Sequence, residues 1–117
     1  MENDQKSIIS KILTCIDDKL GEDPMVLDVH RISSVCDYFV IASASSLRQV
    51  KAIVDEIEDE LSEQNIDLIR KEGHNSKRWV LLDYGDIVIH IFHKEDRQFY
   101  NLEKIWKDAE ILNIDIN

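Results

Sequence analysis

The chain has 117 residues and carries 24 acidic against 14 basic side chains, a formal charge of −10. That length suits a single domain, 1–117, able to bury an ordinary core without a metal or disulfide staple. The acidic balance argues against a nucleic-acid binder, whose affinity comes mainly from Lys and Arg meeting phosphates, and favours encounter with a basic partner over an anionic membrane.

The opening MENDQKSIIS is polar and acidic, so no secretory or mitochondrial-type leader is expected. Ile8, Ile9, Ile12, Leu13, Ile16 and Leu20 recur at helical spacing, which predicts an amphipathic helix over 5–20 with Gly21 as its C-cap. After the turn GEDP, the alternation of MVLDVHR predicts a strand over 25–31. VCDYFVIASA, 35–44, is β-branched, aromatic and apolar on both faces, the pattern of a central strand. Ser46 and Gln49 then form a capping-box pattern. Leu47, Val50, Val54, Ile57 and Leu61 follow as a narrow apolar stripe on a helix running to about Gln64, with an acidic outer face. IDLIRKEG, 66–73, alternates as an edge strand would. EDRQFYNLEKIWKDAEIL gathers Phe99, Leu102, Ile105, Trp106 and Ile111 on a helical tail. The order αββαβββα predicts an α+β fold, a mixed five-stranded sheet flanked by helices.

Between the last two of these lies RWVLLDYGDIVIHIFH, 78–93, which reads as a hairpin turning at Gly85–Asp86. Its register would place Val80, Leu82, Tyr84, Ile87, Ile89 and Ile91 on one face, a core face. The other pairs Asp83 with Val88, Leu81 with His90 and Trp79 with Phe92. An indole, a benzyl, a Leu, a His and an Asp together make the mixed composition of a recognition patch. The competing reading is that the C-terminal helix covers this face as ordinary core.

Catalytic patterns are scarce. His90 and His93 lie three apart, on opposite faces of a strand, so no metal site is expected. Cys15 and Cys36 lack C-x-x-C spacing and suit a reducing cytosol; Asp37 beside Cys36 would hinder rather than help a thiolate. Neither a G-x-x-x-x-G-K-[ST] loop nor G-x-G-x-x-G occurs. The turn ASASS before a helix start offers one anion site, but no acidic pair stands beside it to hold magnesium. No cofactor is expected.

Three blocks, DYFVIASASSLRQVKAI, EG…WVLLDYGDIVIHIF and EDRQFYNLEKIW, in this order and spacing, resemble the ribosomal silencing factor family, also called RsfS or Iojap. The resemblance runs from about Leu27 to Ala109, with Ala42–Ser43–Ala44–Ser45 where the family has a glycine-containing turn. It implies a nucleotidyltransferase-like fold without the catalytic carboxylates, hence no enzyme. It further implies a cytoplasmic repressor that binds the large ribosomal subunit through its basic protein fourteen and blocks small-subunit joining when nutrients are scarce. Little direct contact with nucleic acid is expected. The partner-binding residues expected on this basis are Trp79 as central anchor, Leu81, Asp83, His90 and Phe92 on its face, and Tyr84, Gly85 and Asp86 at the rim. Arg97 and Tyr100 match the third block, with Arg97 expected to pair with Asp83, Asp86 or the partner. Two other readings stand beside this one: a nucleotide-binding protein or nucleotidyltransferase-like enzyme, and a self-associating module whose patch closes a homodimer.

Overall fold

The apolar stripe on residues 47–61 and the one on residues 8–16 need a common surface to cover, and both find it on one face of a sheet. A computed structural model of the chain shows helices α1 (Glu2–Asp18), α2 (Leu47–Glu63) and α3 (Lys94–Tyr100). The strands are β1 (Glu22–Asp28), β2 (Tyr38–Ala44), β3 (Arg70–Glu72), β4 (Trp79–Asp83), β5 (Ile87–His93) and β6 (Glu110–Leu112). The structure describes residues 2–34, 36–100, 109–112 and 114; the side chains of 2–4 and 98–100 are not described. Leu102, Ile105 and Trp106 of the predicted tail therefore lie outside the described residues, as do the side chains of Phe99 and Tyr100.

The strands form one sheet in the order β3-β4-β5-β2-β1-β6. β2 and β5 pair in parallel, and the other neighbours pair antiparallel. This is the expected α+β class, with six strands rather than five. The sixth is β6, which places Ile111 on a strand and not on the predicted helical tail. Glu110, Ile111 and Leu112 pair with Asp28, Leu27 and Val26, so the outer edge of β1 has its backbone groups matched.

β2 is central, as its two apolar faces require. Val40, Ala42 and Ala44 point to the helices with Val80, Leu82, Ile87, Ile89 and Ile91, against Ile9, Ile12 and Ile16 of α1 and Val50, Ile53, Ile57 and Leu61 of α2. Phe39 and Ile41 point the other way, into a second cluster with Leu27, Val29, Cys36 and Phe92. Strand alternation thus divides one segment between two cores.

Local signals at the helix ends hold with two differences. Ser46 caps α2, its hydroxyl accepting from the Gln49 N–H at 3.1 Å. The Gln49 side chain does not close the box on Ser46 N; its oxygen accepts from Ser45 N and Oγ, and its amide donates to the carbonyls of Lys19 and Leu20. At the end of α1 it is Leu20, not Gly21, that takes the left-handed conformation (φ 62°). Gly21 follows it, donating its N–H to Ile16 O at 2.7 Å. A Cβ on Gly21 would lie 2.4 Å from Ile16 Cγ2, so close approach rather than φ calls for glycine there. β1 starts at Glu22, inside the predicted turn, and a register shift between Glu22 and Met25 absorbs Asp23 and Pro24. β3 is shorter than its alternating sequence suggested, covering only Arg70–Glu72 at the sheet edge.

Candidate functional site

The hairpin forms in the predicted register: Trp79 opposite Phe92, Val80 opposite Ile91, Leu81 opposite His90, Leu82 opposite Ile89 and Asp83 opposite Val88. Gly85 takes φ +93° at the turn, Tyr84 N donates to Ile87 O at 3.0 Å, and Asp83 Oδ1 accepts from Gly85 N at 2.8 Å. Asp83 is thus held by turn chemistry. Val80, Leu82, Ile87, Ile89 and Ile91 are all buried toward the helices. Tyr84 shares that side; it packs half-buried on the helix-side core, and burial, with Glu58 adding to it, pushes its hydroxyl pKa up to about 12. Tyr84 thus lies on the helix side of the sheet, the face its register predicted.

On the other face the side chains divide by depth. Trp79, Leu81, Asp83 and Val88 are partly exposed. Phe92 and His90 are 1% and 5% exposed, which corrects the expectation that all five face residues lie open. The reason is the second cluster: Phe39 and Ile41 bring apolar bulk from β2, whose parallel register sets Phe39 beside Val88 and Ile41 beside His90. Phe92 and His90 therefore floor the patch. The Trp79 indole stacks on Phe92 at 4.9 Å between centroids and 24° between planes. Its Nε1–H donates to His90 Nδ1 at 3.1 Å. Phe39 meets the His90 ring edge-on at 5.0 Å and 74°. Burial lowers the His90 pKa to about 4, so the ring is neutral at pH 7.

The Arg97 Nη1 donates to Asp23 O at 2.6 Å and to Ser43 Oγ at 3.0 Å, with Glu22 O at 3.5 Å. It ties α3 to the irregular start of β1 and to the end of β2. The guanidinium fork suits this because it presents several donors to the backbone carbonyls at the strand irregularity. Tyr100 ends α3, and its side chain lies outside those described.

Sequence reasoning missed Asp37. Its backbone N–H and that of Tyr38 both donate to Asp86 O, at 2.8 and 3.0 Å, which joins the start of β2 to the hairpin turn. Asp37, Asp83 and Asp86 all raise the Cys36 thiol pKa, after burial as the first cause, while the Asp37 carboxylate itself accepts from Gln5 Nε2 of α1 at 2.9 Å. No local signal announces the contact with Asp86: it depends on a parallel pairing across a long crossover. Phe39 was missed as a site residue for the same cause. The start of α2, the one anion-binding candidate, is filled by the chain's own Ser45, Ser46 and Gln49 contacts. Among the described residues no group of three or more His, Cys, Asp or Glu is placed to hold a metal ion, and no helix is long and apolar enough to cross a membrane.

Fold and face define a class: an α+β sheet protein with helices α1 and α2 on one side and a partly open, aromatic and acid-flanked surface on the other. Comparison with known proteins gives the family. Residues 2–117 match the family described as "Ribosomal silencing factor during starvation". Ribosomal silencing factor RsfS of Bacillus subtilis (strain 168) is 47% identical over 111 residues, covering 95% of this chain and 94% of that protein. Its counterpart in Halalkalibacterium halodurans is 39% identical over 110 residues, covering 94% of each chain. A crystal structure of a protein from Chromobacterium violaceum superposes with a TM-score of 0.83 at 30% identity, covering 95% of this chain and 92% of that one. The chain belongs to the RsfS/Iojap ribosomal silencing factor family, a family of regulators of translation and not of enzymes.

Proposed function

We propose that this protein silences ribosomes in the cytoplasm by docking the Trp79 face of its sheet on protein fourteen of the large subunit, so that the small subunit cannot join when nutrients are limiting. The observation that carries the reading is the arrangement of that face: a partly exposed indole seated on a buried Phe92 and hydrogen-bonded to a buried His90. Rigid aromatic anchors of this kind, set among a few polar groups, dominate interface energetics. Leu81 and Val88 extend the apolar centre, and Asp83 and Asp86 at the hairpin turn supply an acidic border suited to a basic partner. Gly85 contributes the tight turn that lets Asp83 and Asp86 stand at that border. His90, Phe92, Tyr84 and Arg97 enter this reading as residues that shape the face or the helices behind it, and Tyr100, which matches the third family block, stays a partner-contact residue.

The mechanism is steric and involves no bond making. The net charge of −10 steers the protein to a basic surface and away from bare RNA. Two experiments test the reading. In sucrose gradients, added protein should raise free subunits at the expense of assembled ribosomes. In a pull-down, isolated large-subunit protein fourteen should retain the wild-type chain and release Trp79→Ala. Retention of both alike would remove the face from the mechanism.

A further inference from the structure

We propose that His90 is a positioning residue of the docking face: buried in the sheet and without contact to the partner, it fixes the Trp79 ring in the orientation the partner meets. This rests on the docking reading above and adds to it the residue on which the anchor depends.

The argument starts from hydrogen-bond inventory. An indole N–H can only donate, so the His90 Nδ1 that faces it at 3.1 Å must accept, and the imidazole proton sits on Nε2. That Nε2 is buried and has no hydrogen-bond partner. A buried donor left alone destabilises a fold, and an apolar side chain in the same slot would avoid the penalty. The core alone gives no reason for a histidine. What the ring supplies that Leu or Phe cannot is the acceptor at Nδ1, directed at one side chain, Trp79.

Geometry shows what the acceptor adds. Stacking on Phe92 at 4.9 Å sets the plane of the indole, and the bond to Nδ1 sets a direction within that plane. The imidazole is itself held: Phe39 abuts it edge-on at 5.0 Å and 74°, and it lies within 12° of parallel to Phe92. Phe39 of β2 and His90 and Phe92 of β5 thus brace the partly exposed indole of β4. Because burial keeps the imidazole neutral, the acceptor is present throughout the physiological pH range.

The test uses the full-length chain and purified large subunits. In the ¹⁵N-labelled wild type, the indole N–H resonance that vanishes in Trp79→Phe should exchange with water more slowly than a free indole. His90→Leu should lose that protection and bind large subunits about tenfold more weakly. His90→Asn, whose amide oxygen can stand where Nδ1 stood, should recover binding to within about twofold of wild type. A wild-type Trp79 N–H that exchanges like a free indole overturns the proposal, as does a His90→Leu chain that binds as tightly as wild type. Should His90→Leu fail to fold, the exchange rate in the wild type decides. Loss of binding in Trp79→Ala with none in His90→Leu overturns this inference alone; no loss in Trp79→Ala overturns the docking reading and this inference with it.

Discussion

Trp79 stacks on the Phe92 ring, donates to His90 and is partly exposed. Truncating it removes the anchor without opening the helix-side core, so Trp79→Ala is expected to remain folded by circular dichroism. In calorimetric titration against large subunits it should lose at least about 2 kcal/mol, the scale of an interface hot spot. His90 carries a second expectation. Its folded-state pKa is lowered to about 4 from 6.5, so between those values the unfolded chain binds more protons than the folded one. Its contribution to stability is therefore complete above pH 6.5, falls as pH drops through that window, and reaches its limit near pH 4. The loss is on the order of 3 kcal/mol at ~1.4 kcal/mol per pKa unit. Urea unfolding at neutral and mildly acid pH should show that slope in the wild type and a shallower one in His90→Leu, which lacks the buried imidazole. Gly73 is the third residue with a sharp expectation. It has φ +81°, and a Cβ there would fall 1.9 Å from Trp79 O. Gly73→Ala must displace the backbone of β4 at its first residue and should cost about 2 kcal/mol or more in thermal unfolding.

At the scale of elements, α2 was readable nearly to the residue because its signals are local. The 3–4 spacing of Val50, Val54, Ile57 and Leu61 marks the buried face, and Ser46 marks the start. Ser46→Ala should lower stability by about 1 kcal/mol in denaturant titration, since it leaves the Gln49 N–H without its acceptor. The hairpin was equally legible, because period-two alternation around Gly85 leaves one register that buries Val80, Leu82, Ile89 and Ile91 together. β6 was not. Its residues, Glu110–Leu112, continue a helical spacing in the chain, yet they pair with β1, whose outer edge would otherwise stand open. Long-range demand for backbone partners overrode local pattern there. Arg97 makes the same point from α3: Asp23, 74 residues away, and Ser43, 54 away, receive its hydrogen bonds, and no spacing rule reaches that far.

For the whole molecule, charge sets how the protein meets its partner more than how firmly it holds. With a net charge of −10 and the carboxylates of Asp83 and Asp86 at the turn end of the face, association with large subunits should slow as salt rises from about 0.05 to about 0.5 M, while dissociation changes little. Stopped-flow measurement would show this, and Asp86→Asn should shallow the dependence. The sequence by itself determined which side chains share a face, where α2 starts, how the hairpin turns and which family the chain resembles. All of these follow from contacts within a few residues or across one tight turn, where geometry leaves little choice. Only the tertiary structure decided how deep each member of the face lies. Alternation assigns Trp79, His90 and Phe92 to one side of a strand, but their cover depends on Phe39 and Ile41, brought alongside by a parallel pairing that no local pattern encodes.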